Sequence, residues 1–218
     1  MTHQPGLPGY DVAARFPSRV WKAVEITRAS GFALACIPEV GLLLRLFAGL
    51  HGVEKACELG TALGVGAAWI ESGLRPEARL LTVELDPARA AEAQALFAGS
   101  RSVDVLAGDW SLAQDLAPFD LLFSDGGPKR AVGDPEKLAP LVRPGGLVVL
   151  DDYTPDTAGN DDDSRRLWLD HPMYTSQEIM VTPHDSVILA IRTGQDASTC
   201  WPRSAPRISI GARARLKV

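Results

Sequence analysis

The sequence predicts an α/β fold, a doubly wound and mostly parallel sheet with helices on both faces. Three observations carry that prediction. Short apolar runs of strand length alternate with helical patterns through the middle of the chain, the order that builds a parallel sheet with crossover helices. A glycine-rich turn joins the first of these runs to a helix, at the kind of edge where open sheets bind ligands. Two alternating runs near the end flank Pro183-His184 and read as a closing hairpin, an antiparallel end to the sheet.

Residues 18–28 and 40–50 read as two leading helices, the second apolar at Val40, Leu43, Leu44, Phe47 and Ala48, a helical period. Residues 55–59 are the first strand, followed by the glycine turn and a helix over 65–72. Residues 79–83 form the second strand. Asp86-Pro87 then opens an alanine-rich helix with a capping carboxylate and a proline in the first turn, and Gly99 ends it. Residues 102–106, 119–123 and 146–150 are further strands, with a helix over 135–142 before the last of them. Residues 163–169 make a short helix, and 175–181 and 186–191 the hairpin. These elements divide the chain into a helical lead-in (1–52), a ligand-binding α/β domain (53–192) and a basic tail (193–218).

Composition bounds the function classes. With 218 residues, 46% hydrophobic and 22% charged, the chain can bury one large core without staples. The net charge of -5 argues against a protein whose whole surface binds nucleic acid or anionic lipid. That value hides an asymmetry, because residues 197–218 carry five basic and no acidic side chains. Cys36, Cys57 and Cys200 are odd in number and widely spaced, which suits reduced thiols in the cytoplasm. No segment reads as a signal peptide or membrane span.

The most informative stretch runs from Cys57 through Gly66, Cys-Glu-Leu-Gly-Thr-Ala-Leu-Gly-Val-Gly. Its glycines allow a sharp turn and close approach to a ligand, and the following helix offers free amide donors. The spacing differs from GxGxxG, so a nicotinamide enzyme is the less favoured reading. Glu84 ends the second strand about 20 residues beyond the turn, where a carboxylate can bridge two ribose hydroxyls. The plainer role for Glu84 is helix capping, for which Asp86 is better placed. Asp109 and Trp110 follow the third strand and could contact an adenine, the blander reading being a Trp110 that fills a helix–sheet seam.

Three stretches, ELGTALGVG, LLTVELDPARAAEAQALF and FDLLFSDGGPK with LVRPGGLVVLDDYTP, resemble the class I S-adenosylmethionine-dependent methyltransferases. Among these the chain is similar to the catechol and caffeoyl-CoA type of small-molecule O-methyltransferase. The resemblance covers most of residues 38–191. It implies a Rossmann-like sheet of seven strands with an antiparallel last strand, a small-molecule acceptor with a hydroxyl to methylate, and a homodimer. It further implies that Glu58, Gly60, Thr61 and Gly64 shape the methionine end of the cofactor pocket, that Glu84 holds the ribose, that Asp109 and Trp110 flank the adenine, and that Asp125 lies against the cofactor.

Asp125, Asp151 and Asp152 follow the fourth and fifth strands, and three convergent carboxylates would suit Mg²⁺. Such an ion would hold the acceptor's oxygens and help deprotonate them. The bland alternative is a hydrogen-bonded turn after a buried strand. The resembled group places its lysine base three residues after Asp125. Here that position is Pro128, and Lys129 comes next, on a loop that Gly126 and Gly127 are expected to loosen. Lys129 and Asp125 are therefore the candidate catalytic residues. His171 and His184 sit beside prolines and read as turn residues, and 161–163 as a solvated helix start. Two rival functions remain: a tRNA-modifying methyltransferase that uses the basic tail as an arm, and a nucleoside-binding module that has lost its base.

Overall fold

A computed structural model describes residues 8–10, 16–153 and 162–194. The lead-in before residue 8, Asp161, and the tail from residue 195 with Cys200 lie outside the described residues. The strands are β1 (Lys55–Leu59), β2 (Arg79–Glu84), β3 (Val103–Ala107), β4 (Phe119–Ser124), β5 (Val142–Leu150), β6 (Tyr174–Met180) and β7 (Ser186–Arg192). They form one sheet in the order β3-β2-β1-β4-β5-β7-β6. The first five are mutually parallel, and β7 runs antiparallel to both β5 and β6. The chain thus leaves β1 in one direction through β2 and β3, then returns to build β4 and β5 on its other side. The crevice outside the carboxyl ends of β1 and β4 is the switch point where such sheets place ligands.

Side-chain alternation along the strands separates two cores. Ala56, Leu80, Leu121, Phe123, Val149 and Val187 face one side, where they meet Val20, Leu44 and Trp69 from the helices α1 (Ser18–Ser30), α2 (Pro38–Ala48) and α3 (Val65–Gly73). Cys57, Leu81, Leu122, Val148, Leu150 and Ile188 face the other, against Leu138, Leu141 and Trp168. A strand with both faces covered needs an apolar run instead of simple alternation, which is what β2 and β4 supply. Helix α4 (Pro87–Leu96) is capped as expected, with Asp86 Oδ1 accepting from the amides of Ala88 at 2.8 Å and Arg89 at 3.1 Å.

The leading helices share the first core. Gly41 of α2 lies flat against the Trp69 indole, so that a Cβ there would fall 2.2 Å from Nε1. That indole N–H donates to Tyr10 Oη at 2.9 Å, and Tyr10 donates to the Cys36 carbonyl at 2.7 Å. The chain before α1 and the α1–α2 connector are thereby fastened to α3.

Two local expectations need correction. The helix over 135–142 is instead a five-residue α5 (Asp134–Leu138), a 3₁₀ turn (Ala139–Leu141), and then β5 from Val142. Pro140 has no amide to continue the helical bonding, while Val142 pairs with Phe119 of β4. A 3₁₀ turn over Trp110–Leu116 was not read from the sequence. The last helix, α6, spans Asp162–Leu169. Among the described residues no helix is long and apolar enough to cross a membrane.

Candidate functional site

The carboxyl ends of β1, β2 and β4 are stitched together by main-chain bonds. The amides of Gly60 and Thr61 donate to the Val83 carbonyl at 2.9 and 3.2 Å, and those of Asp125 and Gly126 to the Leu59 carbonyl at 3.1 and 2.8 Å. Gly60 turns with φ of 102°, and a Cβ there would meet the Gly126 nitrogen at 2.4 Å. Only glycine satisfies both conditions. Beyond this junction opens a cavity of about 330 Å³, within the range of small-molecule sites.

Glu84 projects from the end of β2 into this cavity while only 4% exposed. Its Oε1 accepts from the Asp86 amide at 3.0 Å and from Arg89 Nε and Nη2 at 3.0 and 2.8 Å, whereas among the described residues Oε2 accepts only from the Ala62 amide at 2.7 Å. A carboxylate oxygen has two lone-pair directions, so one on Oε2 is open to the cavity. Asp109 and Trp110 line the next stretch of wall. Asp109 Oδ1 accepts from the Ser111 amide at 3.0 Å and caps the 3₁₀ turn, which fixes the Trp110 backbone. A hydrogen bond with the Ser111 side chain, and then the one from its amide, hold the Asp109 carboxyl below the usual carboxylate range.

At the opposite end stand Asp125, Asp151 and Asp152, with one carboxylate oxygen of each within 4.8 Å of the others. Burial raises Asp125 to about 6, against the pull of the Lys129 ammonium. Burial, then the charges of Asp125 and Asp152, raises Asp151 to about 8. Asp152 adopts a left-handed φ of 63°, uncommon for a residue with a side chain and a form of strain that collects at functional sites. Three acids are a donor set a hard divalent ion would accept. Their centre is not open, however, because Lys129 Nζ lies 3.1 Å from Asp152 Oδ2 and 3.6 Å from Asp125 Oδ1. With the ammonium in that position the cluster does not fit Mg²⁺.

A methyltransferase-domain family matches residues 57–153, the segment that carries all of these walls. A provisionally named O-methyltransferase of Mycobacteroides abscessus is 36% identical over 127 residues, 52% of this chain and 56% of that protein. A protein of Mycobacterium tuberculosis named a probable O-methyltransferase is 34% identical over 126 residues, 53% and 55% of the two chains. The chain therefore spans about half the length of the relatives it matches. Among solved structures, the O-methyltransferase TomG of Streptomyces achromogenes, involved in tomaymycin synthesis and in complex with S-adenosylmethionine, superposes with a TM-score of 0.67 at 25% identity, over 85% of this chain and 94% of that one. The fold is also that of a Bacillus cereus O-methyltransferase bound to S-adenosylhomocysteine, with a TM-score of 0.67 at 20% identity over 84% and 94% of the chains. The sheet is the Rossmann-like, class I arrangement.

Of the residues singled out from sequence, Gly60, Glu84, Asp109, Trp110, Asp125, Asp151 and Asp152 line this cavity. Glu58, Thr61 and Gly64 stand behind it. Glu58 lies under the first turn of α3, where Thr82 Oγ1 donates to its Oε2 at 2.5 Å, and Thr61 bonds in turn to Thr82. Gly64 faces Leu96 and Phe97 of the α4 end. Lys129 reaches the cavity's acids although Pro128 holds the expected position. Gly126 and Gly127 do not loosen that loop: a Cβ on Gly127 would lie 2.8 Å from the Leu59 Cβ, so they serve close packing. His171 pairs with Glu136 at 3.1 Å, and neither it nor His184 borders the cavity.

Sequence reasoning missed the wall formed by Phe32, Leu34 and Cys36 of the α1–α2 connector, and missed Arg89. The connector residues carry no polar signature. Arg89 had one signal, a cation in the first turn of the helix that follows Glu84. Its guanidinium also lies over the Phe32 ring, 5.3 Å from the centroid, and so ties the connector to the Glu84 wall.

Proposed function

We propose that the protein transfers a methyl group from S-adenosylmethionine to a hydroxyl of a small-molecule acceptor. The observation that carries this reading is one cavity in which Gly60, Glu84 and the Asp109–Trp110 pair adjoin a buried carboxylate–lysine cluster. The provisional and probable O-methyltransferase names of the relatives favour a hydroxyl acceptor.

When bound, S-adenosylmethionine supplies an activated methyl on a sulfonium. Glu84 Oε2 keeps a lone pair for a ribose hydroxyl, and the Trp110 ring offers a face for the adenine. Asp125 would lie at the methionine end. Phe32 and Leu34 supply an apolar stretch of the same wall. The acceptor hydroxyl would enter beside Asp125 and Lys129, aligned with the methyl. Its proton passes to the carboxylates of the cluster while the Lys129 charge steadies the oxygen. No step in this reading uses a divalent ion.

A homodimer belongs to the same proposal, supported by Leu42 and Leu46, one turn apart on α2 and 52% and 61% exposed; sedimentation equilibrium tests it. The buried free thiols of Cys36 and Cys57 suit a cytoplasmic enzyme, and fractionation of the source cells tests that placement. Calorimetric titration with S-adenosylhomocysteine tests the cofactor reading. Saturable binding is expected, weakened about 10- to 100-fold by Glu84→Ala for a charge-assisted bond of about 1.5–3 kcal/mol. Failure of both S-adenosylmethionine and its demethylated product to bind would end the proposal.

A further inference from the structure

We propose that Lys129 is the resident cation of the Asp125, Asp151 and Asp152 cluster, holding the place of a divalent metal and closing the site to one. The inference rests on the methyltransferase reading for the site's purpose, but not for the placement of the ammonium.

Lys129 is only 8% exposed, and its position is built from both ends of the residue. The ammonium lies 3.1 Å from Asp152 Oδ2 and 3.6 Å from Asp125 Oδ1. The backbone is pinned on the far side, where the Lys129 carbonyl accepts from Tyr153 Oη and from Trp168 Nε1 at 2.7 Å. Tyr153 and Trp168 are both fully buried. The preceding carbonyl, of Pro128, accepts from Ser124 Oγ at 3.3 Å, and the proline ring fixes its own φ. Lys129 therefore cannot leave the cluster by a swing of the loop.

A metal bound to the same two oxygens at about 2.1 Å would stand within roughly 5 Å of this ammonium. Two cations at that separation in a buried site repel strongly. The acids keep only one of the two, and the covalently attached one is always at hand. A lysine is a compact point charge, so it can balance the carboxylates and the acceptor's oxygen without a coordination shell. From position 129, one residue beyond Pro128, the lysine places its Nζ within reach of both Asp125 and Asp152.

Mn²⁺ serves as the probe, since its free ion is counted directly by electron paramagnetic resonance. Wild-type protein is expected to bind no Mn²⁺ up to about 1 mM, and Lys129→Met to gain one site at least about tenfold tighter. Asp152→Asn added to Lys129→Met should remove that site. Lys129→Gln gives the same comparison should the methionine variant fail to fold. Tight Mn²⁺ binding by wild type that Asp125→Asn abolishes would overturn the proposal, as would a folded Lys129 variant with no gained site. S-adenosylhomocysteine binding by the same samples is scored separately: its loss would count against the cofactor reading and leave the metal result standing.

Discussion

Replacing Glu58 by Gln isolates one buried charge. Burial raises this carboxyl from 4.5 to about 8 in the folded protein, and the hydrogen bond from Thr82 only partly opposes that rise. Between those two pH values the unfolded chain has released the proton and the folded chain keeps it. Stability from this group is therefore fully present below about 4.5 and is lost as pH rises towards about 8. At about 1.4 kcal/mol per tenfold change in proton affinity, the ceiling on that loss is about 5 kcal/mol. Glutamine keeps an oxygen for the Thr82 hydroxyl and carries no charge, so Glu58→Gln should match wild type within about 1 kcal/mol at pH 5. At pH 8.5 it should be the more stable of the two. Urea unfolding followed by tryptophan fluorescence measures both proteins at both pH values. With a slope of about 2–3 kcal/mol/M, the variant's midpoint should lead by about 0.5–2 M at pH 8.5. Every other titrating group is shared, so the difference between the two proteins belongs to Glu58. Parallel midpoints across this pH range would show that Glu58 ionises freely in place and refute the argument from burial.

Gly60→Ala should abolish S-adenosylhomocysteine binding and lower stability by about 2 kcal/mol or more, because a side chain at φ of 102° also collides with the Gly126 amide; calorimetry and urea titration read the two effects. Leu44→Ala, on a fully buried residue of α2, should cost about 2–5 kcal/mol and shift one cooperative transition. A separate early transition confined to the leading helices would show that they do not share the sheet's core.

The sheet was legible because its signals are local and redundant. The inner strands are short apolar runs, the last two alternate, Asp86-Pro87 marks a helix start that needs no tertiary help, and Pro183-His184 bounds a hairpin by turn chemistry. The helix over 135–142 failed where Pro140 and the pairing of Val142 with Phe119 outweighed helical periodicity. The Glu84 wall was legible because strand order and spacing place it. Which neighbours Glu84 would share was not, since Arg89 and Ala62 meet it only after the turn closes. The Phe32–Cys36 wall was invisible for a plainer reason: apolar connector residues look the same whether they cover a ligand or a core. The orientation of Glu58 follows from β1 alternation, which puts it on the side of Ala56, under α3, and away from Leu59.

Strain and buried charge are distributed unevenly over this molecule, and their distribution supports the site independently of any likeness to other proteins. At the amino end of the sheet, Asp120 is partly buried, yet its bond from Arg143 and those from the amides of Lys55 and Glu54, each at 2.8 Å, hold its carboxyl below the ordinary range. That is an acid arranged for stability. At the carboxyl end the same side-chain chemistry is driven the other way: Glu58, Asp125 and Asp151 are all raised, chiefly by burial. The left-handed Ala62, with φ of 47°, and Asp152 lie in the same region. None of this is needed to close the sheet, since β1, β2 and β4 are already paired through Leu59, Val83 and Ser124. A fold selected for stability alone would place amides or apolar residues at these positions. Raised carboxyls and left-handed side-chain-bearing residues gathered at one end of the sheet are what a binding and reaction site requires of its scaffold.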